Sequence, residues 1–272
     1  MVGRCTLVMG ILNVTPDSFS DGGQFNSTER ATARAAEMIA EGADLIDVGG
    51  ESTRPGSEVV PVEEELGRVV PVIERLSKDS PVPISIDTTK TQVARAALDA
   101  GAEIINDISG LRFEPQLADV AAKTGAGLVL MHSRGDARTM HRLEPVTDIM
   151  SEVTAGLRRS VDEAERRGVR REQMALDPGI GFSKSLEQNL ELIARLDEIG
   201  RAFPEFPLLI GTSRKSFLGH LLDNAPAGER LYGTMATVTA AVLRGAHIVR
   251  VHDVRAALET VRVADALRSA AR

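Results

Sequence analysis

The sequence has one cysteine, Cys5, no tryptophan, one tyrosine and only 3% aromatic residues among 272. A single cysteine cannot make an internal disulfide or a cysteine-rich zinc site, a usage that fits the reducing cytoplasm expected as the location of this chain. Cys5 itself is expected to be a buried small apolar residue and not a nucleophile. Basic charge is also in deficit: 32 Lys and Arg against 39 Asp and Glu leave a formal net charge of -7, which opposes nucleic-acid binding. No apolar run approaches the roughly 20 residues that span a bilayer, so no membrane partner is expected. The N-terminal MVGRCTLVMGILN runs into a polar loop without a cleavage signal and is expected to be the first strand. No low-complexity stretch or long Pro/Ser/Gly linker divides the chain, and residues 1–272 are expected to form one domain. The P-loop pattern GxxxxGK[ST], the dinucleotide pattern GxGxxG and the zinc pattern HExxH are all missing. His132 and His141 are too sparse for zinc, and each is expected to be structural.

What is present is a recurring unit. Short β-branched apolar runs return about every 20 to 45 residues, each followed by a polar turn and a helix-period segment. The expected strands are 6–13, 45–49, 83–87, 104–109, 127–132, 174–177, 207–212 and 248–252. Among the helices, Pro61 suits a first turn ahead of the stripe Leu66, Val69, Val70, Ile73 and Leu76, with Glu63, Glu64 and Glu65 as a solvated start favoured by the helix dipole. Ser185 with Gln188 predicts a capping box, Gly200 the end of that helix, and Gly42 and Gly101 two further stops. Strands that alternate with helices imply a parallel sheet, and their near-continuous apolar character implies that both faces are covered. Eight such units favour a closed (β/α)8 TIM barrel.

Polar residues fall at the C-terminal end of strand after strand: Asn13, Asp47 with Glu51, Asp87, Asn106 with Asp107, His132, Asp177, Lys215, and Arg250 with His252. A barrel brings those ends to one mouth. Any one of them could equally cap a helix or close a turn, but so many ends at once fit a site better. Asp, Asn and Lys together suit the edge of a flat nitrogen heterocycle. Arg250 and His252 flank Val251 and point the same way, a pair fit to clamp an anion, with Arg250 also able to stack on a ring. A surface salt bridge to Asp253 is the alternative for that pair. The segment TSRKS at 212–216 opens a helix whose free N–H groups suit phosphate or carboxylate. The loop NVTPDSFSDGGQF at 13–25 carries Asp17, Phe19 and Asp21 and reads as a mobile lid or a plain turn.

Taken in order, MGILNVTPDSFSDGG at 9–23, DVGGESTRPG at 47–56, SIDT at 85–88, IND at 105–107, LMH at 130–132, LDPGIGF at 176–182, SRKSFLG at 213–219 and RVHDV at 250–254 resemble the dihydropteroate synthase family over nearly the whole chain. The resemblance implies the pterin-binding TIM barrel, usually a homodimer. It implies condensation of (7,8-dihydropterin-6-yl)methyl diphosphate with p-aminobenzoate to 7,8-dihydropteroate and pyrophosphate, with magnesium, and competitive inhibition by sulfonamides. In that scheme Asp87, Asn106, Asp177 and Lys215 hydrogen-bond the pterin while Arg250 packs on its face. Asn13, Thr53, Arg250 and His252 hold the diphosphate, with Asn13 as the Mg²⁺ ligand. Phe19, Arg54, Pro55, Phe182 and Ser216 enclose p-aminobenzoate, and Asp21 joins Asp87 and Asp177 in stabilising a cationic pterin methylene. After His132 the sequence reads SRGDARTM where the family often has MRG. A methyltetrahydrofolate methyltransferase-type barrel would share the pocket but lack the SRK and STRPG segments. A non-catalytic pterin-binding barrel would have lost Asn13 or Lys215.

Overall fold

Strands and helices alternate throughout the computed structural model, which describes residues 5–15, 24–52, 59–135 and 143–271, with 24–27 described by backbone alone. The strands are β1 (Leu7–Asn13), β2 (Leu45–Gly49), β3 (Ile84–Asp87), β4 (Ile104–Asp107), β5 (Gly127–Met131), β6 (Met174–Asp177), β7 (Leu209–Ile210) and β8 (Ile248–Val251). The helices are α1 (Gln24–Glu41), α2 (Val62–Leu76), α3 (Thr91–Asp99), α4 (Gln116–Thr124), α5 (Ile149–Arg166), α6 (Leu186–Ala194), α7 (Leu196–Ala202), α8 (Ser216–Leu221), α9 (Leu231–Leu243) and α10 (Val254–Ala270). All paired strands are parallel, in the order β6-β5-β4-β3-β2-β1-β8-β7. Leu176 of β6 bridges Leu208 beside β7, and its N–H donates to the Pro207 carbonyl at 2.9 Å, so the ring closes as the expected (β/α)8 barrel. The seventh strand is shorter than the expected 207–212. Pro207 accepts in the ladder but has no N–H to donate, which confines it to the strand's start.

Alternation along the strands divides the core. Val8, Leu12, Ile46, Val48, Ile86, Ile105, Leu128, Leu130, Val249 and Val251 pack outward with the helices. The intervening Leu7, Met9, Leu45, Val129, Leu209 and Ile248 form a separate cluster that fills the barrel. The same inward rows continue upward to Asp47, Ser85, Asp87, Asn106, Asp177 and Arg250. This places an apolar floor directly beneath a polar mouth.

The helical punctuation holds in most places. Gly42 and Gly101 take the left-handed conformation at the ends of their helices (φ 101° and 110°). Ser185 Oγ accepts the Gln188 N–H at 3.2 Å while Gln188 Oε1 accepts the Ser185 N–H at 3.1 Å, the expected capping box. Three expectations fail. Cys5 is exposed, because it precedes β1 at the rim below the packed floor. Gly200 lies inside α7: the break falls at Arg195, where α6 ends and α7 begins, and Gly200 sits close under Leu208. Glu65 is buried, unlike its exposed neighbours Glu63 and Glu64, because Lys90 reaches it from the start of α3.

Candidate active site

Arg250 is the hub of the mouth. Its Nε donates to Asp47 Oδ2 at 2.6 Å and its Nη2 to Asp87 Oδ2 at 2.7 Å. Asn106 Nδ2 donates to the same Asp47 oxygen at 3.0 Å. Four strands, β2, β3, β4 and β8, therefore meet in one network. The guanidinium edge is held by carboxylates, which fixes the plane and leaves its face for a flat ring. Burial raises the Asp87 carboxyl to about 7, against the opposing pull of Arg250 and with the nearby Asp47, Glu65 and Asp107 adding to the rise. Arg250 is pushed well above its ordinary value: burial opposes this, but the flanking Asp47 and Asp87 outweigh it.

Asp177 and Lys215 complete the ring from β6 and from the residue before α8. Asp177 Oδ1 accepts the Gly179 N–H at 2.7 Å, and burial raises its pKa although Lys215 opposes the shift. Burial lowers Lys215 to about 7, with Asp177 and Asp87 opposing and Arg250 assisting. Lys215 Nζ donates to the Ile180 carbonyl and stands 4.1 Å from the centre of the Phe182 ring. Crowding on two sides of this loop explains the glycines of DPGIGF. A Cβ on Gly179 would fall 1.9 Å from the His132 carbonyl oxygen, and one on Gly181 2.6 Å from Lys215 Cδ. Both also adopt positive φ, 71° and 82°.

On the β8–β1 side, Asn13 and His252 line a cleft of about 540 Å³ with Arg30, Arg34, Glu37 and Arg214. Ser213 Oγ accepts the His252 backbone N–H at 3.1 Å and lies 2.9 Å from its Nδ1. With that hydroxyl donating to Nδ1, the ring proton would sit on Nε2. The alternative for the Arg250–His252 pair is overturned: Asp253 is taken by Arg214 at 3.0 and 2.5 Å. Ser216 is exposed at the start of α8. Phe19, Asp21, Thr53, Arg54 and Pro55, with most of the 13–25 loop, lie outside the described residues, as does the 136–142 part of the segment after His132. His132 is structural: burial foremost, then the positive charge of Lys184, lowers it to about 2.

Ser85 of the mouth went unmarked in the sequence, and Asp47 was marked there as a strand-end residue but given no task. Asp47 is fully buried with Oδ1 unpartnered among the described residues, and Ser85, its register neighbour on β3, is buried with an unpartnered Oγ. Buried polar atoms of this kind need partners, and both face the mouth. The signal was in the alternation: Asp47 follows Leu45, and Ser85 precedes Asp87, by two residues. A larger cleft of about 690 Å³, lined by Asp148, Arg158, Glu191, Arg195 and Glu198, lies among the outer helices and holds none of the strand-end residues. No group of three or more potential metal ligands from His, Cys, Asp and Glu occurs among the described residues.

Residues 9–252 match the family model described as pterin binding enzyme. The chain is similar to dihydropteroate synthase from Synechocystis sp., 52% identical over 265 residues that cover 97% of this chain and 91% of the relative. It superposes on a dihydropteroate synthase from Clostridium difficile solved in the presence of pteroic acid with a TM-score of 0.92, at 44% identity, covering 98% of each chain. The Yersinia pestis enzyme in complex with a sulfonamide drug gives a TM-score of 0.90 at 44% identity, covering 98% of this chain and 95% of that one.

Proposed function

The chain belongs to the dihydropteroate synthase family of pterin binding enzymes, transferases of folate biosynthesis, and on that premise we propose how its mouth divides the work. Asp87, Asn106, Asp177 and Lys215 read the edge of the dihydropterin, and Arg250 packs on its face. The observation that carries this is the Arg250 hub, whose edge is committed to Asp47 and Asp87 while its face stays available. Asn13, Thr53, Arg250 and His252 hold the diphosphate. Phe19, Arg54, Pro55, Phe182 and Ser216 enclose p-aminobenzoate.

The reaction is a dissociative displacement at the pterin methylene. The C–O bond to the diphosphate breaks first and pyrophosphate leaves with the electron pair. The amine of p-aminobenzoate then forms the C–N bond and loses one proton to solvent. Asp87 and Asp177, with Asp21, stabilise the positive charge that the pterin delocalises, while Arg250 and His252 stabilise the departing anion. The donor set suits magnesium, since Asn13 offers one hard oxygen beside the diphosphate grip and Mg²⁺ commonly takes few protein ligands, with phosphate and water supplying the rest. When bound, the ion neutralises leaving-group charge.

Release of pyrophosphate, followed with and without p-aminobenzoate, tests the assignment. Release that yields dihydropteroate when p-aminobenzoate is present is expected; release that never yields dihydropteroate overturns the reading. The sulfonamide complex of the Yersinia pestis relative supports competitive inhibition at the p-aminobenzoate site, and turnover indifferent to sulfamethoxazole at concentrations saturating for relatives would remove that part. A cytoplasmic location is proposed on the usage of a single cysteine, Cys5; separately, no helix among the described residues is long and apolar enough to cross a membrane. A homodimer is supported by exposed apolar residues on α9 and α10: Tyr232, 86% exposed, and Leu243 on the first, Val263 and Leu267 on the second. A monomeric mass at micromolar concentration would rule the dimer out.

A further inference from the structure

Lys184 is a half-buried cation that the reaction scheme leaves without a task. Its Nζ donates to the carbonyls of Gly179 at 2.9 Å, Phe182 at 2.9 Å and His132 at 3.3 Å, and lies 3.2 Å from His132 Nδ1. Two of those carbonyls belong to the loop between β6 and α6, whose backbone would otherwise point several acceptors into the protein. Burial lowers Lys184 to about 7; Asp177 and Glu152 oppose the shift, while Lys215 and Arg134 reinforce it. The carbonyl fan favours the charged form, because each oxygen presents its negative end to the ammonium.

The loop so gathered is the one on which Lys215 rests. Ile180, between the two carbonyls that Lys184 holds, offers its own carbonyl to Lys215 Nζ, and Phe182 places its ring beneath the same ammonium. From the far side Asn189 Oδ1 accepts the Gly181 N–H at 2.6 Å, and Ser183 Oγ accepts the Arg134 N–H at 3.2 Å. A buried charge adds little net stability compared with a well-packed apolar side chain. What the Lys184 ammonium supplies that a methionine could not is convergence of the carbonyls, and hence the path of the loop between them.

We propose that Lys184 is a positioning residue for the pterin-binding step, shaping the 178–183 loop so that the Ile180 carbonyl and the Phe182 ring hold Lys215 Nζ at the mouth. The inference rests on the reading of Lys215 as a pterin ligand given above. It acts through Lys215 and touches no substrate.

A double-mutant cycle separates this from a general structural role. In the parent, Lys184→Met is expected to lower kcat/KM for the dihydropterin diphosphate about tenfold and to weaken its equilibrium binding by a similar factor. In a Lys215→Ala background the same substitution is expected to change either quantity less than about twofold. Equal losses in both backgrounds overturn the proposal, as does no loss in the parent. If Lys184→Met does not fold, as judged by circular dichroism, Asn189→Ala loosens the same loop through Gly181 and enters the same cycle. A parent that binds the dihydropterin diphosphate but forms no dihydropteroate overturns the catalytic reading, and the binding arm of the cycle still decides the role of Lys184. A parent whose binding is untouched by Lys215→Ala overturns both.

Discussion

A step of two positions leads from Leu45 to Asp47, from Ile104 to Asn106, from Ala175 to Asp177 and from Ile248 to Arg250, and each step crosses from an apolar floor into a polar mouth. The two layers share strands, hydrogen-bond ladders and direction, so their difference lies in the side chains alone. In the floor, burial is favourable at every position: Met9 and Leu209 are fully buried among apolar neighbours. In the mouth, burial works against the residues it covers. It raises Asp87 and lowers Lys215 toward the same value of about 7, and leaves Asp47 Oδ1 and Ser85 Oγ without partners among the described residues. The floor carries stability, and the mouth holds groups that a ligand can satisfy.

The sharpest way to break this division is at Lys215. Lys215→Ala is expected to lower kcat/KM for the dihydropterin diphosphate by about 10³-fold, the size seen when one preorganised donor is removed. Because burial already disfavours its charge, the melting temperature should not fall. A loss of several degrees would show that the mouth also carries stability. Met9→Ala is the converse. Removing most of a fully buried side chain from the floor should cost about 3 kcal/mol in chemical denaturation, with kcat of the folded protein within about twofold of the parent. A tenfold fall in kcat at full folding would mean that the floor sets the mouth's geometry more tightly than two layers allow.

The same contrast explains what the sequence disclosed. Floor and outer strand faces announce themselves by alternation, so the eight strands were legible from apolar runs, although the seventh is only Leu209–Ile210. Strand-end residues were legible because the barrel rule gathers them, and the eight motifs in order gave the chemistry. Ser85 was missed, and Asp47, though counted among the strand ends, was given no task. Each lies one alternation below the strand end, where a polar residue looks like a solvated strand face until closure buries it. Glu65 failed for the opposite reason: an acidic run at a helix start looks exposed, and only the fold brings Lys90 across from α3. Gly200 failed because one apolar stripe runs across two helices that break at Arg195.

Opposed shifts in the mouth make pH the next probe. Asp87, raised from an ordinary 3.8 to about 7, keeps its proton in the folded protein after the unfolded chain has lost it. Its contribution to stability is therefore present in acid and declines as pH climbs from about 4 to 7. Lys215, lowered from 10.5 to about 7, has lost its proton in the fold while the unfolded chain still holds it. Its penalty is thus relieved as pH rises from about 7 toward 10.5. Ligand-free stability should pass through a shallow minimum near neutrality in urea titrations at about pH 5, 7 and 9. Pterin recognition calls for ionised Asp87 and protonated Lys215 together, so kcat/KM should peak in that same window and fall roughly tenfold per unit well outside it. Stability and kcat/KM with their maxima at one pH would contradict the assignment of these shifts to the mouth.

Ser185 supplies the smallest effect and tests the boundary of the comparison, since it belongs to neither layer. Its hydroxyl caps α6, and losing a cap of this kind costs about 1 kcal/mol. The first turn of α6 also carries Asn189, whose Oδ1 accepts the Gly181 N–H and whose Nδ2 donates to the Ser185 carbonyl at 2.8 Å. Fraying that turn frees Asn189 and, through it, the loop under Lys215. Ser185→Ala should therefore lower stability by about 1 kcal/mol and also raise KM for the dihydropterin diphosphate by a small factor, with KM for p-aminobenzoate affected less. If the stability loss appears with both KM values unchanged, the loop is held from the Lys184 side alone, and the mouth is better insulated from its outer helices than the Asn189 bridge suggests.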